Sequence, residues 1–211
     1  MKMRLFYLFS FIFSLSSAQQ NAYYQQSAKY KMDIDVDAEN FTYQGKQTLT
    51  YTNNSPDELK VVYFHLYWNA FKAGSMMDQR VGGQGKNGDS RLQKDGISRL
   101  ASIPKTEEGA QNIHWIKQNG KDLKFEIQET IMKVELATPI KPNSSTTFTM
   151  DWDAVIPMQI RRSGRNNREG IDMTVTQWYP KIAEYDYDGW ATFDYVGREF
   201  HAPFSDFEVN I

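Results

Sequence analysis

The chain has 211 residues, of which 40% are hydrophobic, 14% aromatic and 24% charged, and this composition excludes a wholly disordered protein. Its 24 basic and 26 acidic residues nearly cancel, so no overall positive field exists to attract nucleic acid or anionic lipid. The absence of cysteine excludes disulfides, thiol nucleophiles and cysteine zinc sites. The length favours one domain over two.

The first 18 residues are typical of a secretory signal peptide. Lys2 and Arg4 form a positive start, residues 5–15 are a short apolar run, and residues 16–18 are small enough for cleavage. The apolar run is about half of the roughly 20 residues that a membrane-spanning helix needs. We therefore expect an exported protein of the periplasm, the cell surface or the medium, without a permanent membrane span. Residues 19–211 are expected to form a single β domain.

Alternation of apolar and polar side chains predicts that most of the chain is β-strand. The clearest case is residues 28–37, where Tyr30, Met32, Ile34 and Val36 share one face. The segment 61–68 has bulky residues on both faces, which is typical of a central strand covered on both sides. The sequence stops within its last alternating segment, so we expect the chain to be truncated before a further domain. The alternating segments in chain order are 28–37, 41–51, 123–127, 132–136, 148–156 and 207–211.

Turn residues separate these segments. Asn119-Gly120 predicts a type I′ hairpin turn, because both central residues of that turn have positive φ. Seven of the thirteen glycines lie between Gly74 and Gly109, which indicates a long irregular loop. The best candidate for a helix is residues 89–101, although Gly96 costs about 1 kcal/mol there relative to alanine. The predicted fold class is all-β and layered, with antiparallel or mixed sheets, a long irregular loop and at most short helices.

The three histidines stand far apart in the sequence, and the zinc peptidase motif H-E-x-x-H does not occur. We expect His65 to be a hydrogen-bonded residue of the core or of a wall, and His114 to lie on the surface of a strand. No G-x-S-x-G motif supports a nucleophilic serine.

Two charged segments suggest binding without specifying it. Acids alternate over residues 184–189 as in the first half of a calcium loop, but position twelve is Tyr195 instead of glutamate, so a tight aromatic and acidic loop is expected. An arginine cluster over residues 161–168 offers charge for a phosphate, a carboxylate or an acidic surface, or forms a solvated loop, which we favour. Residues 174–190 are rich in tryptophan and tyrosine, which suit an interface, a ligand-facing wall or simple packing.

Four segments in order carry a resemblance to a known family. They are YTNNSPDELKVVYFHLYWNAF at 51–71, SMMD at 75–78, TQWYPKIAEYDYDGW at 176–190 and GREFHAPFSDFEVNI at 197–211. Together they resemble the amino-terminal domain of aminopeptidase N-like zinc metallopeptidases, in the exported bacterial subgroup. The resemblance runs from about residue 29 to residue 211.

The resemblance implies a saddle-like all-β domain that packs on a thermolysin-like catalytic domain of the same polypeptide. That missing domain would hold the zinc, so no cofactor and no catalytic residue is expected in this chain, which alone should be inactive. The substrate would be a peptide that loses its N-terminal residues. The family's T-Q-x-E/Q turn matches at Thr176 and Gln177, with Tyr179 replacing the acid or amide, and the expected substrate-binding residues are Gln177, Trp178 and Tyr179.

A different class of function is also open. A free-standing, exported, β-sandwich-like module would bind a protein or a glycan through an aromatic face near Trp178 and Trp190.

Overall fold

The computed structural model describes residues 23–82, 90–197 and 200–211. The predicted signal peptide, residues 1–18, lies outside the described residues. The described residues are mainly β-strand with a few short helical turns, which confirms the all-β fold class. Within them, no helix has both the length and the apolar character required to cross a bilayer.

Sixteen β-strands are present in the described part of the chain. They are β1 (Ser27–Asp37), β2 (Thr42–Asn53), β3 (Leu59–His65), β4 (Gln93–Lys94), β5 (Ile97–Ser98), β6 (Ala110–Gln118), β7 (Lys121–Asp122), β8 (Phe125–Gln128), β9 (Ile131–Ile140), β10 (Ser144–Val155), β11 (Gly164–Arg165), β12 (Met173–Thr174), β13 (Lys181–Ile182), β14 (Tyr185–Asp186), β15 (Gly189–Trp190) and β16 (Ser205–Asn210). Short 3-10 helices span Tyr67–Phe71, Leu100–Ser102 and Lys105–Glu107, and a π-type turn spans Asp78–Gly82.

Two sheets enclose the core. The larger sheet has the order β16-β1-β2-β10-β6-β7, and its pairs are antiparallel except for β16, which runs parallel to β1. The smaller sheet has the antiparallel order β13-β3-β9-β8. Phe64 of the smaller sheet meets Phe148 of the larger one edge to face, with ring centroids 6.1 Å apart. Both side chains are buried, so the inner faces of the two sheets form one hydrophobic core.

The predicted alternation appears as alternating burial. In β1, Tyr30 and Met32 are buried, while Lys31 and Asp33, which follow each of them, are exposed. One close approach in this sheet requires glycine. Gly45 pairs with the fully buried Trp152 across β2 and β10, and a Cβ atom on Gly45 would lie 2.5 Å from the indole.

The Asn119-Gly120 turn is confirmed, with φ values of 48° and 84° between β6 and β7. The predicted strand 61–68 ends early, because the chain turns into the buried 3-10 helix Tyr67–Phe71 after His65.

The predicted helix over 89–101 is wrong for residues 90–101, and residue 89 lies outside the described part. The segment forms the β4–β5 hairpin, followed by the turn Leu100–Ser102. Asp95 and Gly96 have φ values of 54° and 81°, so an Asp-Gly turn prevails over the weak helical spacing.

Candidate functional site

The turn at Thr176 is held at three backbone positions. The indole Nε1 of Trp68 donates to the Thr176 carbonyl at 3.0 Å, and the Thr176 N–H donates to Ser163 Oγ at 3.0 Å. The Tyr43 hydroxyl donates to the Trp178 carbonyl. Because these donors and acceptors come from separate elements, the turn is fixed before any ligand arrives.

Gln177 lies at the tip of this turn. Its φ of 53° is left-handed, a conformation that few residues other than glycine adopt, and its side chain is partly exposed. The Oε1 atom accepts a hydrogen bond of 2.6 Å from Lys181 Nζ. That ammonium also lies over the rings of Tyr67 and Tyr179, 5.8 Å and 5.5 Å from their centroids. One lysine therefore orients the amide of Gln177, and burial lowers the pKa of this lysine to about 8.

His65, which pairs with Lys181 across β3 and β13, carries a buried imidazole. His65 is 4% exposed and stacks on Tyr67, with centroids 4.9 Å apart. Neither of its ring nitrogens, nor the Tyr67 hydroxyl, has a hydrogen-bond partner among the described residues. The Ala191 backbone is near enough to raise the pKa slightly without meeting hydrogen-bond geometry. Burial, followed by the charge of Lys181, lowers the His65 pKa to about 4. The expectation that His65 is buried is confirmed.

The other two predicted site residues lie in aromatic packing. Trp178 meets Tyr43 edge to face, with centroids 6.0 Å apart. Tyr179 is 8% exposed and packs edge-on against Tyr30 and Phe207, at 5.2 Å and 5.6 Å. The structure thus brings the three residues into one turn, with Gln177 and Trp178 partly exposed and Tyr179 buried. Their roles in substrate binding stay predictions.

The arginine segment is less solvated than predicted. Arg165 is 7% exposed, donates to Glu107 Oε2 at 2.8 Å and lies over the Phe41 ring. Arg161 donates to the Gly197 carbonyl at 3.2 Å. Arg165 therefore joins β11 to the segment around Glu107, and Arg161 joins the loop before β11 to the segment around Gly197.

The acidic segment 184–189 forms the tight β14–β15 hairpin. The Asp188 N–H donates to Asp186 Oδ1 at 2.8 Å, and Gly189 has a φ of 92°. His114 is partly exposed, as predicted, with Nε2 2.6 Å from Asp153 Oδ1. Among residues 23–82, 90–197 and 200–211, no three His, Cys, Asp or Glu side chains are arranged to hold a metal, so the described residues do not fit a zinc site.

An open groove of about 570 Å³ lies beside this hairpin, and we call it the aromatic groove. Its walls are aromatic and acidic, and they come from the start of the described chain, the β14–β15 hairpin and the segment before β16. Lining residues include Tyr24, Glu184, Asp186, Tyr187, His201 and Phe204. This groove was not predicted, because its residues are distant in the sequence and only the acids and aromatics of 184–187 form a local pattern.

Comparisons with known proteins identify structural likeness alone. No family model matches the sequence, and no curated protein matches it. Similar solved structures include a mutant of a two-domain M1 zinc metallopeptidase bound to L-tryptophan, at 12% identity over 68% of this chain and 22% of that one, with a TM-score of 0.39. The M1 zinc metallopeptidase from Deinococcus radiodurans is also 12% identical over 68% of this chain. The match covers 24% of the metallopeptidase chain and has a TM-score of 0.41.

A mutant of the two-domain M1 zinc metallopeptidase bound to L-arginine matches over 72% of this chain and 27% of that chain, with 12% identity and a TM-score of 0.43. The chain therefore spans about a quarter of the length of the structures that it matches. Identities and TM-scores this low do not show that the chain belongs to their family.

Proposed function

We propose that this chain is the amino-terminal, substrate-docking domain of an exported zinc aminopeptidase. The zinc and the catalytic residues would belong to a further domain of the same polypeptide, and the reaction would remove N-terminal residues from peptides. The observation that supports this most is the Thr176–Tyr179 turn. The residues Thr176 and Gln177, which match the family's T-Q-x-E/Q turn, lie at an accessible tip of a backbone that is fixed at three positions.

The geometry suggests how this turn would contact a peptide. Lys181 occupies one lone pair of Gln177 Oε1, while the Nε2 amide group makes no hydrogen bond to another described residue. A side-chain amide offers two N–H donors, which suit the carbonyl oxygen of an extended peptide. Because the amide is already oriented, little side-chain entropy is lost on binding.

Tyr179 takes no direct part in this contact. It stands where the family has an acid or amide, but its ring is buried between Tyr30 and Phe207. Lys181 also places positive charge beside Gln177 and would repel an ammonium group. We infer that the free amine of the substrate is held by the catalytic domain, and that this turn holds the peptide backbone.

The first test uses the purified chain. We expect no stoichiometric zinc and no hydrolysis of aminoacyl amides, because the catalytic set would lie in the other domain. Zinc-dependent turnover by the chain itself would contradict the proposal.

The second test uses the polypeptide in which the chain is joined to its catalytic domain. Gln177→Ala should raise KM for tripeptides several-fold, with a smaller effect on kcat, since it removes hydrogen bonds worth roughly 0.5–1.5 kcal/mol each. Gln128→Ala, at an exposed position of β8, is the matched control and should leave both constants unchanged. Equal kinetics for Gln177→Ala and the unsubstituted enzyme would contradict the role of the turn.

A free-standing binding module is the second candidate function, and a different observation favours it. Trp178 and Trp190 are partly buried in packing, but Tyr187, Phe193 and Phe204 are all more than 70% exposed. Exposed aromatic side chains of this kind are typical of binding surfaces. If the chain is such a module, it should be a stable monomer that binds a protein or a glycan without any further domain. Size-exclusion chromatography with the added protein or glycan would test this.

A further inference from the structure

Hydrogen bonds of the residues around the aromatic groove hold it in shape before any ligand binds. Gln26 lines it and is 4% exposed. Its Nε2 donates to the Tyr185 carbonyl at 3.0 Å, and its Oε1 accepts from the Asn54 N–H at 2.9 Å. The Tyr185 hydroxyl in turn donates to Asp57 Oδ2 at 2.9 Å. These bonds attach the residues before β1 to the β14–β15 hairpin, and both of these to the segment between β2 and β3, so the groove is a preformed cavity with fixed polar contacts.

The charge of the groove is negative. Glu184 and Asp186 line it, and the described residues that line it include no lysine or arginine. His201 Nε2 lies 3.6 Å from Asp186 Oδ2, a contact that is an ion pair only when the imidazole is protonated. Glu184 is half-buried, and burial together with the charge of Asp186 raises the pKa of its carboxyl. The neighbouring His201 lowers this pKa, and because the described lining residues include no lysine or arginine, an incoming cation would stabilise the partly desolvated carboxylate.

The aromatic side chains that line the groove also favour a bound cation. Tyr24, Tyr187 and Phe204 line the groove, and the last two are 77% and 88% exposed. The faces of aromatic rings carry negative charge and attract cations within about 6 Å. The pKa of the Tyr24 hydroxyl is raised, first by burial and then by the carboxylates of Asp57, Asp186 and Glu184, which places these negative charges around one wall.

We propose that the aromatic groove binds the cationic side chain of a polypeptide, an arginine or a lysine, with Glu184 and Asp186 opposite its charge and the aromatic rings along its aliphatic stem. A volume of about 570 Å³ accommodates one such side chain together with its neighbouring backbone. The proposal is independent of the function proposed above, because the groove shares no residue with the Thr176–Tyr179 turn.

The test measures binding of two nearly isosteric probes to the full chain by isothermal titration calorimetry in low salt. The probes are a heptapeptide with a central arginine and the same peptide with citrulline, which keeps the shape of arginine and removes its charge. We expect the arginine peptide to bind at least ten-fold more tightly. Equal affinity for the two peptides, or no binding of the arginine peptide at millimolar concentration, would overturn the proposal.

Two variants locate the binding. Glu184→Gln should weaken binding of the arginine peptide about ten-fold and leave the citrulline peptide unchanged. Tyr187→Leu keeps an apolar side chain and should weaken the arginine peptide two-fold to five-fold. Glu126→Gln, an exposed glutamate of β8, is the matched control and should have no effect. An equal loss in Glu126→Gln and Glu184→Gln would show non-specific attraction and overturn the site.

A third probe distinguishes a polypeptide from a small organic cation. Agmatine carries the same guanidinium group without a peptide backbone, so we expect it to bind at least ten-fold more weakly than the heptapeptide. Agmatine that binds as tightly as the peptide would overturn the assignment to a polypeptide partner.

Discussion

Replacing His65 with phenylalanine should remove a large part of the acid sensitivity of the fold. The imidazole is 4% exposed, stacks on Tyr67 and has no hydrogen-bond partner among the described residues. Phenylalanine keeps the stacking and leaves no new polar group unpaired. At pH 7 we therefore expect His65→Phe to have about the same free energy of unfolding as the unsubstituted chain.

The magnitude follows from the pKa of this imidazole. Burial lowers it from the ordinary 6.5 to about 4 in the folded chain. Between these values the unfolded chain binds more protons than the folded chain, so stability falls as the pH falls and the contribution is fully lost below pH 4. At about 1.4 kcal/mol per pH unit, this difference amounts to about 3 kcal/mol. His65→Phe cannot take up that proton, so it escapes this part of the loss.

Urea unfolding followed by tryptophan fluorescence, at pH 7 and pH 4.5, measures the effect. The loss of stability between the two pH values should be smaller in His65→Phe by roughly 2–3 kcal/mol. Gln128→Ala, at an exposed and uncharged position of β8, is the control and should keep the pH dependence of the unsubstituted chain. Identical pH dependence in His65→Phe and the unsubstituted chain would refute a buried neutral imidazole at this position.

Three further substitutions test other parts of the structure. Gly45→Ala should lower the free energy of unfolding by about 1–3 kcal/mol, because the added Cβ would collide with Trp152, and the urea midpoint should fall accordingly. In the unsubstituted chain, urea unfolding should show that stability rises between pH 8 and 9.5, because the pKa of Lys181 is lowered in the folded state and the unfolded state therefore binds more protons in this range. Lys181→Met should abolish this rise. Arg165→Met should lower the melting temperature by several degrees, because it removes the hydrogen bond to Glu107. An unchanged melting temperature would mean that this contact does not contribute to stability.

Local patterns predicted most of the sheet. Alternation in residues 28–37 corresponds to β1, and Asn119-Gly120 forms the predicted turn. These features depend on side-chain period and on φ preferences, both of which are readable over a few residues. Residues 90–101 do not form the expected helix, because the turn at Asp95-Gly96 prevails over the weak apolar spacing.

Features that depend on distant contacts were not readable. The burial of Arg165 requires Glu107 and Phe41, which are far away in the sequence. The aromatic groove combines residues near 24, 184 and 204. The first and last of these lie close together because β16 pairs in parallel with β1, which places the end of the described chain near its beginning. For the candidate turn, the resemblance identified Thr176 and Gln177, but neither the contact of Gln177 with Lys181 nor the burial of Tyr179 has a sequence signal.

Translation of the gene beyond the codon for Ile211 tests the proposed function most directly. If the chain is the proposed docking domain, the reading frame continues and encodes H-E-x-x-H with a more distant glutamate, which together would supply the zinc ligands and the water-activating base. A stop codon directly after Ile211 would contradict the assignment as a docking domain.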